Sequence, residues 1–105
     1  DITGSYDAFT FTTMLQLEEY GFCEKGEGGG YVSSGIIELG GARPNNTSGG
    51  HLCEGYTHGM SMVIENVRQL RHDCRDRQVP GAQTGLVTGW GDLGDGSIAI
   101  LRRFA

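Results

Sequence analysis

The chain holds 105 residues with 8 basic and 13 acidic side chains, a formal net charge of −5. That length suits one small domain or part of a larger one, and the acidic balance excludes the basic face of a dedicated nucleic-acid or membrane-surface binder. A hydrophobic content of 37% excludes wholesale disorder.

Ahead of the first helix stands Tyr6, read as the end of a short strand. Phe11, Met14 and Leu15 follow helical spacing, so a helix is predicted from Asp7 to Tyr20, capped by Asp7 or Thr10 and stopped by Gly21. Residues 21–50 read as a thirty-residue loop with one apolar run, Gly35-Ile36-Ile37-Glu38-Leu39. A second helix is predicted from Tyr56 to His72. Met60, Val63, Ile64, Val67, Leu70 and Arg71 form its inward stripe, with Glu65, Arg68 and Gln69 outside. After a polar connector and Pro80-Gly81, Leu86-Val87-Thr88 and Ile98-Ala99-Ile100-Leu101 read as strands flanking a glycine-rich turn from Gly89 to Gly96. This order implies an α/β layer.

Glycine numbers 19 residues, well above the usual share of about 7%, with no collagen period, and marks positions of unusual backbone geometry. Cys23, Cys53 and Cys74 are odd in number and lack a C-x-x-C pair, which reads as reduced thiols in the cytoplasm. No run reaches the roughly 18 apolar residues of a membrane span. The opening Asp1-Ile2-Thr3, without Met, suggests a piece of a longer protein.

Three segments offer chemistry. His51-Leu52-Cys53 and His72-Asp73-Cys74 hold zinc-type ligands at the wrong spacing, so no metal is expected. Gly26-Glu27-Gly28-Gly29-Gly30 lacks the following Lys of a phosphate cradle. The third runs from Asn46 through Gly49-Gly50 and Gly55-Tyr56-Thr57-His58-Gly59 to Met60. Paired glycines before polar residues at a helix mouth can aim donors at a bound carbonyl, or simply cap the helix.

Taken with Tyr6-Asp7-Ala8-Phe9 before it and Gly91-Asp92-Leu93-Gly94-Asp95-Gly96 after it, this segment resembles the C-terminal half of the thiolase superfamily. That family shows N-E-A-F or H-D-C-F, then N-x-x-GG…G-H-P-x-G, then C-x-GGG, in this order. Val79-Pro80-Gly81-Ala82 is similar to the sterol-carrier-type members. The resemblance covers the whole chain and implies a layered α/β thiolase-like C-terminal domain over residues 1–105, with the N-terminal half absent. The departures matter: Tyr6 and Tyr56 stand at the family's Asn/His positions, and Ala8 and Asp92 at its cysteine positions.

The Gly55-Tyr56-x-His58-Gly59-Met60 variant resembles the lipid-transfer-protein-type aldolases of bacterial steroid side-chain degradation. That likeness implies retro-aldol cleavage of a β-hydroxyacyl-CoA to a ketone and a shorter acyl-CoA. It also implies a zinc-ribbon/OB-fold accessory protein, a homodimer within that complex, and no cofactor beyond the coenzyme A of the substrate. Tyr56 is then the base on the β-hydroxyl and Tyr6 the proton donor to the enolate, or the reverse. Either role needs surroundings that lower a phenol from its usual pKa of about 10, and the helix start beneath Tyr56 would do so. His58 backs Tyr56 or donates to the enolate oxygen, Asp7 orients a partner, and Gly50, Gly55, Gly59 and Asp92 contact substrate. Trp90 lines the acyl pocket or an interface. The alternatives are a thiolase-like acyltransferase and a non-catalytic acyl-CoA or lipid carrier.

Overall fold

One short strand, a run of helices and two further strands build a three-stranded sheet, with the helices between the first and second strands in sequence. The computed structural model describes residues 1–91 and 95–104. Strand β1 (Ile2–Gly4) pairs in parallel with β2 (Thr84–Trp90), with Ile2 opposite Gly85 and Gly4 opposite Val87. Strand β3 (Gly96–Arg102) returns antiparallel on the other side of β2, so the sheet order is β1-β2-β3. A parallel pair needs a crossover, and helices α1 (Thr10–Glu19), α2 (Gly28–Ser33) and α3 (Met60–Leu70) lie within it. The α/β layer expected from the order of elements is the one observed, and both predicted strands lie inside β2 and β3.

Helix α1 starts three residues later than predicted. Phe9 is its extended N-cap residue: the Phe9 N–H donates to Thr12 Oγ1 at 3.3 Å, and the Thr12 hydroxyl donates to Phe9 O at 2.7 Å. Asp7 does not cap it, because its carboxylate faces His51 instead. The far end stops as predicted. Gly21 adopts φ 77°, the Gly21 N–H donates to Glu18 O, and the Phe22 N–H donates to Leu17 O. This is the paired closure that a left-handed glycine permits.

The predicted loop over 21–50 contains α2. Its Gly28-Gly29-Gly30 start gives neither periodicity nor helix propensity, which hides it from the sequence. The Glu18 carboxylate accepts the Gly28 N–H at 2.9 Å, and such backbone bonds, from Gly26 first and then Gly28, hold that carboxyl below its ordinary pKa.

Helix α3 is shorter than predicted and turned the other way. Gly59, at φ 84°, precedes Met60, so Tyr56, Thr57 and His58 stand outside the helix. The buried face is Ser61, Met62, Glu65, Asn66, Gln69 and Leu70, while Met60 and Ile64 are more than half exposed. Glu65 and Gln69, assigned to solvent by the sequence pattern, are therefore inside. Distant partners make this possible. Arg77 grips Glu65 with Nε and Nη2 at 2.9 and 3.0 Å, and the Thr47 hydroxyl donates to Glu65 at 2.8 Å. Gln69 donates to Arg77 O at 2.7 Å and accepts the Val79 N–H at 2.9 Å. Burial pushes the Glu65 carboxyl up, but hydrogen bonds from Arg77, Thr47 and Gln69 outweigh it and hold the group below its ordinary value.

Two glycines bring α3 onto the sheet. A Cβ at Gly4 would come within 2.6 Å of Asn66 Nδ2, and one at Gly85 would overlap Asn66 Oδ1. Ile2, Leu70 and Ala82 form the apolar centre, with Val79 and Leu101 against it.

Candidate active site

Tyr6 lies two residues past the end of β1 rather than at it, and its backbone is fixed on both sides. Its N–H donates to Thr88 Oγ1 of β2 at 2.9 Å, and its carbonyl accepts Gln16 Nε2 of α1 at 2.7 Å. The Thr88 hydroxyl closes this triangle by donating to Gln16 Oε1. The phenol ring lies against Gly59, where a Cβ would stand 3.2 Å from Tyr6 Cδ2. Tyr6 is thus buried at 6% exposure, with its hydroxyl directed at the Tyr56 hydroxyl, to which it is hydrogen-bonded.

Tyr56 comes from the turn before α3 and is 62% exposed. The helix start is therefore four residues away, and the predicted position of Tyr56 at the helix mouth is corrected. His58, in the same turn with φ 51°, places Nδ1 3.4 Å from the Tyr56 hydroxyl. Thr57 performs the capping: its Oγ1 accepts the Ser61 N–H at 3.1 Å. Tyr6, Tyr56 and His58 line one cleft of about 420 Å³ with Ala8, Phe9, Trp90 and Gly91. Ala8 puts a methyl group where the sequence comparison placed a family cysteine.

Tyr6 is pushed up to about 12, first by its hydrogen bond to Tyr56, then by burial, then by the charges of Tyr56 and Asp7. The requirement of a lowered phenol pKa is thus not met at Tyr6. A group held protonated in this way is suited to donate a proton.

Behind the phenols lies His51, first residue of a 3-10 turn over His51–Cys53. Its ring meets Tyr6 edge-on at 4.6 Å between centroids and Tyr56 at 5.5 Å. Asp7 reaches it across 44 positions of sequence: both carboxylate oxygens accept the His51 backbone N–H at 3.3 Å. His51 Nδ1 lies 2.6 Å from Asp7 Oδ1, a close polar contact at an angle that does not make a hydrogen bond. Sequence reading considered His51 only as a zinc ligand. Its place directly after the Gly49-Gly50 pair was the available signal. Gln16 and Thr88 were likewise missed, since nothing local marks them.

The remaining candidates are distributed unevenly. Gly50, at φ 74°, faces Asp7 so closely that a Cβ would overlap Asp7 Oδ2. Gly59 supports the Tyr6 ring. Gly55 has nothing within 4 Å of its missing Cβ and is not among the cleft-lining residues. Asp92 lies outside the described residues. Among the described residues, no helix is long and apolar enough to cross a membrane.

A strand–helix–strand layer carries this polar cleft between a strand end and the turn before a helix. The chain belongs to the thiolase C-terminal domain-like family, whose model matches residues 1–103. It is 56% identical over 83 residues to a 17-hydroxy-3-oxo-4-pregnene-20-carboxyl-CoA lyase of Mycobacterium tuberculosis, covering 79% of this chain and 21% of that protein. Identity to a steroid side-chain-cleaving aldolase of Thermomonospora curvata is 48% over 82 residues, 78% of this chain and 20% of that one. A solved structure, the Ltp2-ChsH2(DUF35) aldolase, superposes with a TM-score of 0.86 at 36% identity, covering 96% of this chain and 26% of its own. The chain thus spans about a fifth of the length of these two curated relatives.

Proposed function

We propose that this chain is the C-terminal part of a carbon–carbon lyase that cleaves a β-hydroxyacyl-CoA, a steroid side-chain thioester, to a ketone and a shorter acyl-CoA. The hydrogen-bonded Tyr6–Tyr56 pair carries this reading, facing a cleft in which Ala8 replaces a cysteine. Identity to two proteins named as a steroid acyl-CoA lyase and a steroid side-chain aldolase supports it.

Tyr56 acts as the base and takes the β-hydroxyl proton. The C–O electrons form the ketone carbonyl, the Cα–Cβ bond breaks, and its electron pair passes into the thioester enolate. Tyr6, kept protonated by its surroundings, delivers a proton to Cα. The proton gained by Tyr56 then crosses the shared hydrogen bond to Tyr6 and restores the starting state. His58 Nδ1 beside the Tyr56 hydroxyl is placed to steady the charge that appears there. No acyl-enzyme forms, and the only coenzyme A involved is the one the substrate carries. A zinc-ribbon/OB-fold accessory protein is the proposed partner, in keeping with the paired name of the solved neighbour. A homodimer within that complex, in the cytoplasm, completes the proposal.

The test is full-length polypeptide with its accessory protein, given a tertiary β-hydroxyacyl-CoA and no free coenzyme A. Mass spectrometry is expected to find ketone and shortened acyl-CoA, with formation lost in Tyr56→Phe. Product appearing only from a 3-ketoacyl-CoA with free coenzyme A would instead make this an acyltransferase.

A further inference from the structure

Two phenols on different segments, one buried and one exposed, meet at their hydroxyls only if something sets the spacing between their rings. His51 occupies that place, in edge-on contact with both rings. Its side chain is only 10% exposed, and neither ring nitrogen has a hydrogen-bond partner among the described residues. An apolar ring would fill this space without burying an unpaired nitrogen, so packing alone does not account for a histidine. Nδ1 provides the reason. It stands against Asp7, whose carboxylate also holds the His51 backbone N–H and fills the space over Gly50. Asp7 directly follows Tyr6, and His51 lies five residues before Tyr56. The contact therefore ties together the two segments that carry the phenols.

We propose that Asp7 and His51 form a clamp: Asp7 fixes the imidazole, and the imidazole sets the separation of the Tyr6 and Tyr56 rings. Both are positioning residues, and this inference rests on the phenol pair being the acid–base machinery. Misplacing reacting groups slows the chemical step more than it weakens binding.

The experiment uses the full-length polypeptide with its accessory protein and compares His51→Ala, Asp7→Ala, their double variant, Asp7→Asn, Tyr6→Phe and Tyr56→Phe. His51→Ala is expected to lower kcat by about ten- to hundredfold with KM within about twofold. Asp7→Ala follows in the same direction, and the double variant is no slower than His51→Ala, because Asp7 acts through His51. Asp7→Asn, which keeps one acceptor oxygen, recovers part of the loss. Unchanged kcat in His51→Ala, a loss confined to KM, or losses that multiply in the double variant would each overturn the clamp. Should His51→Ala fail to fold, His51→Phe keeps the ring but lacks Nδ1; kcat reduced to the level of Asp7→Ala supports the clamp, and wild-type kcat overturns it. Full turnover in both Tyr→Phe variants would remove the phenol reading itself. Loss in those two, with wild-type kcat in the His51 variants, would remove the clamp alone.

Discussion

Two polar clusters in this small fold are put to opposite ends. Around Glu65 the cluster is closed. Its carboxylate meets Arg77, Thr47 and Gln69, and the Gln69 amide has partners at both ends. Around Tyr6 the cluster is open: Tyr56 is 62% exposed, neither ring nitrogen of His51 has a hydrogen-bond partner among the described residues, and Tyr6, Tyr56 and His58 border a cleft. Polarity inside a fold thus does not by itself mark a site. Unused hydrogen-bonding capacity beside a cavity does.

The sharpest way to break this comparison is to remove a phenol. Tyr56→Phe and Tyr6→Phe should each reduce turnover by about 10²–10⁴-fold while leaving thermal stability near that of the parent, as read by steady-state rates beside a melting curve. Near-parental rates would put the open cluster in the same structural class as the closed one.

Arg77→Ala tests the closed cluster. It strands the Glu65 carboxylate, whose side chain is 5% exposed, and should cost about 3 kcal/mol in denaturant unfolding with kcat unchanged. Since Glu65 is held below its ordinary pKa, its contribution is complete above that ordinary value and is lost as pH falls through the folded value. Glu65→Gln should therefore flatten the acid limb of the stability profile.

Gly50→Ala joins both measures. It needs a left-handed alanine and displaces the Asp7 carboxylate, so about 1–2 kcal/mol of stability should go. Turnover should fall with it, and stability loss at constant kcat would separate Asp7 from the reaction.

The smallest effect is spectroscopic. Tyr6 should titrate near 12, and in Tyr56→Phe, which removes the first cause of that rise, closer to the ordinary value of about 10. Ultraviolet difference titration reads both. Because the folded pKa is the higher one, wild-type stability should decline as pH rises from the unfolded value through the folded one, and Tyr6→Phe should remove that decline.

Local chemistry made much of the molecule readable. The spacing of Phe11, Met14 and Leu15, the stop at Gly21 and the strands around Leu86 and Ile100 needed only neighbours in sequence. Tyr6, Tyr56 and His58 were named together by motif order, and the fold brings them to one cleft. What escaped the sequence depends on distant partners. Glu65 and Gln69 looked solvated because Thr47, Arg77 and Val79 lie on other segments, and periodicity scores a buried ion pair as exposed. His51 looked idle because Asp7 stands 44 positions away. α2 was hidden by glycines whose helix is secured by a carboxylate on α1.

The parallel pairing of β1 with β2 also imposes a sequence in time. Ile2 is made well before its partner Gly85. Helix α3 and its contacts with Arg77 and Val79 span a short stretch and close early, whereas the β1 pairing waits for long-range contact. A chain halted before Thr84 would hold α3 and Arg77 yet leave β1 without its neighbour and Tyr6 without Thr88. The cleft around Tyr6 is thus the part of this domain that is assembled last.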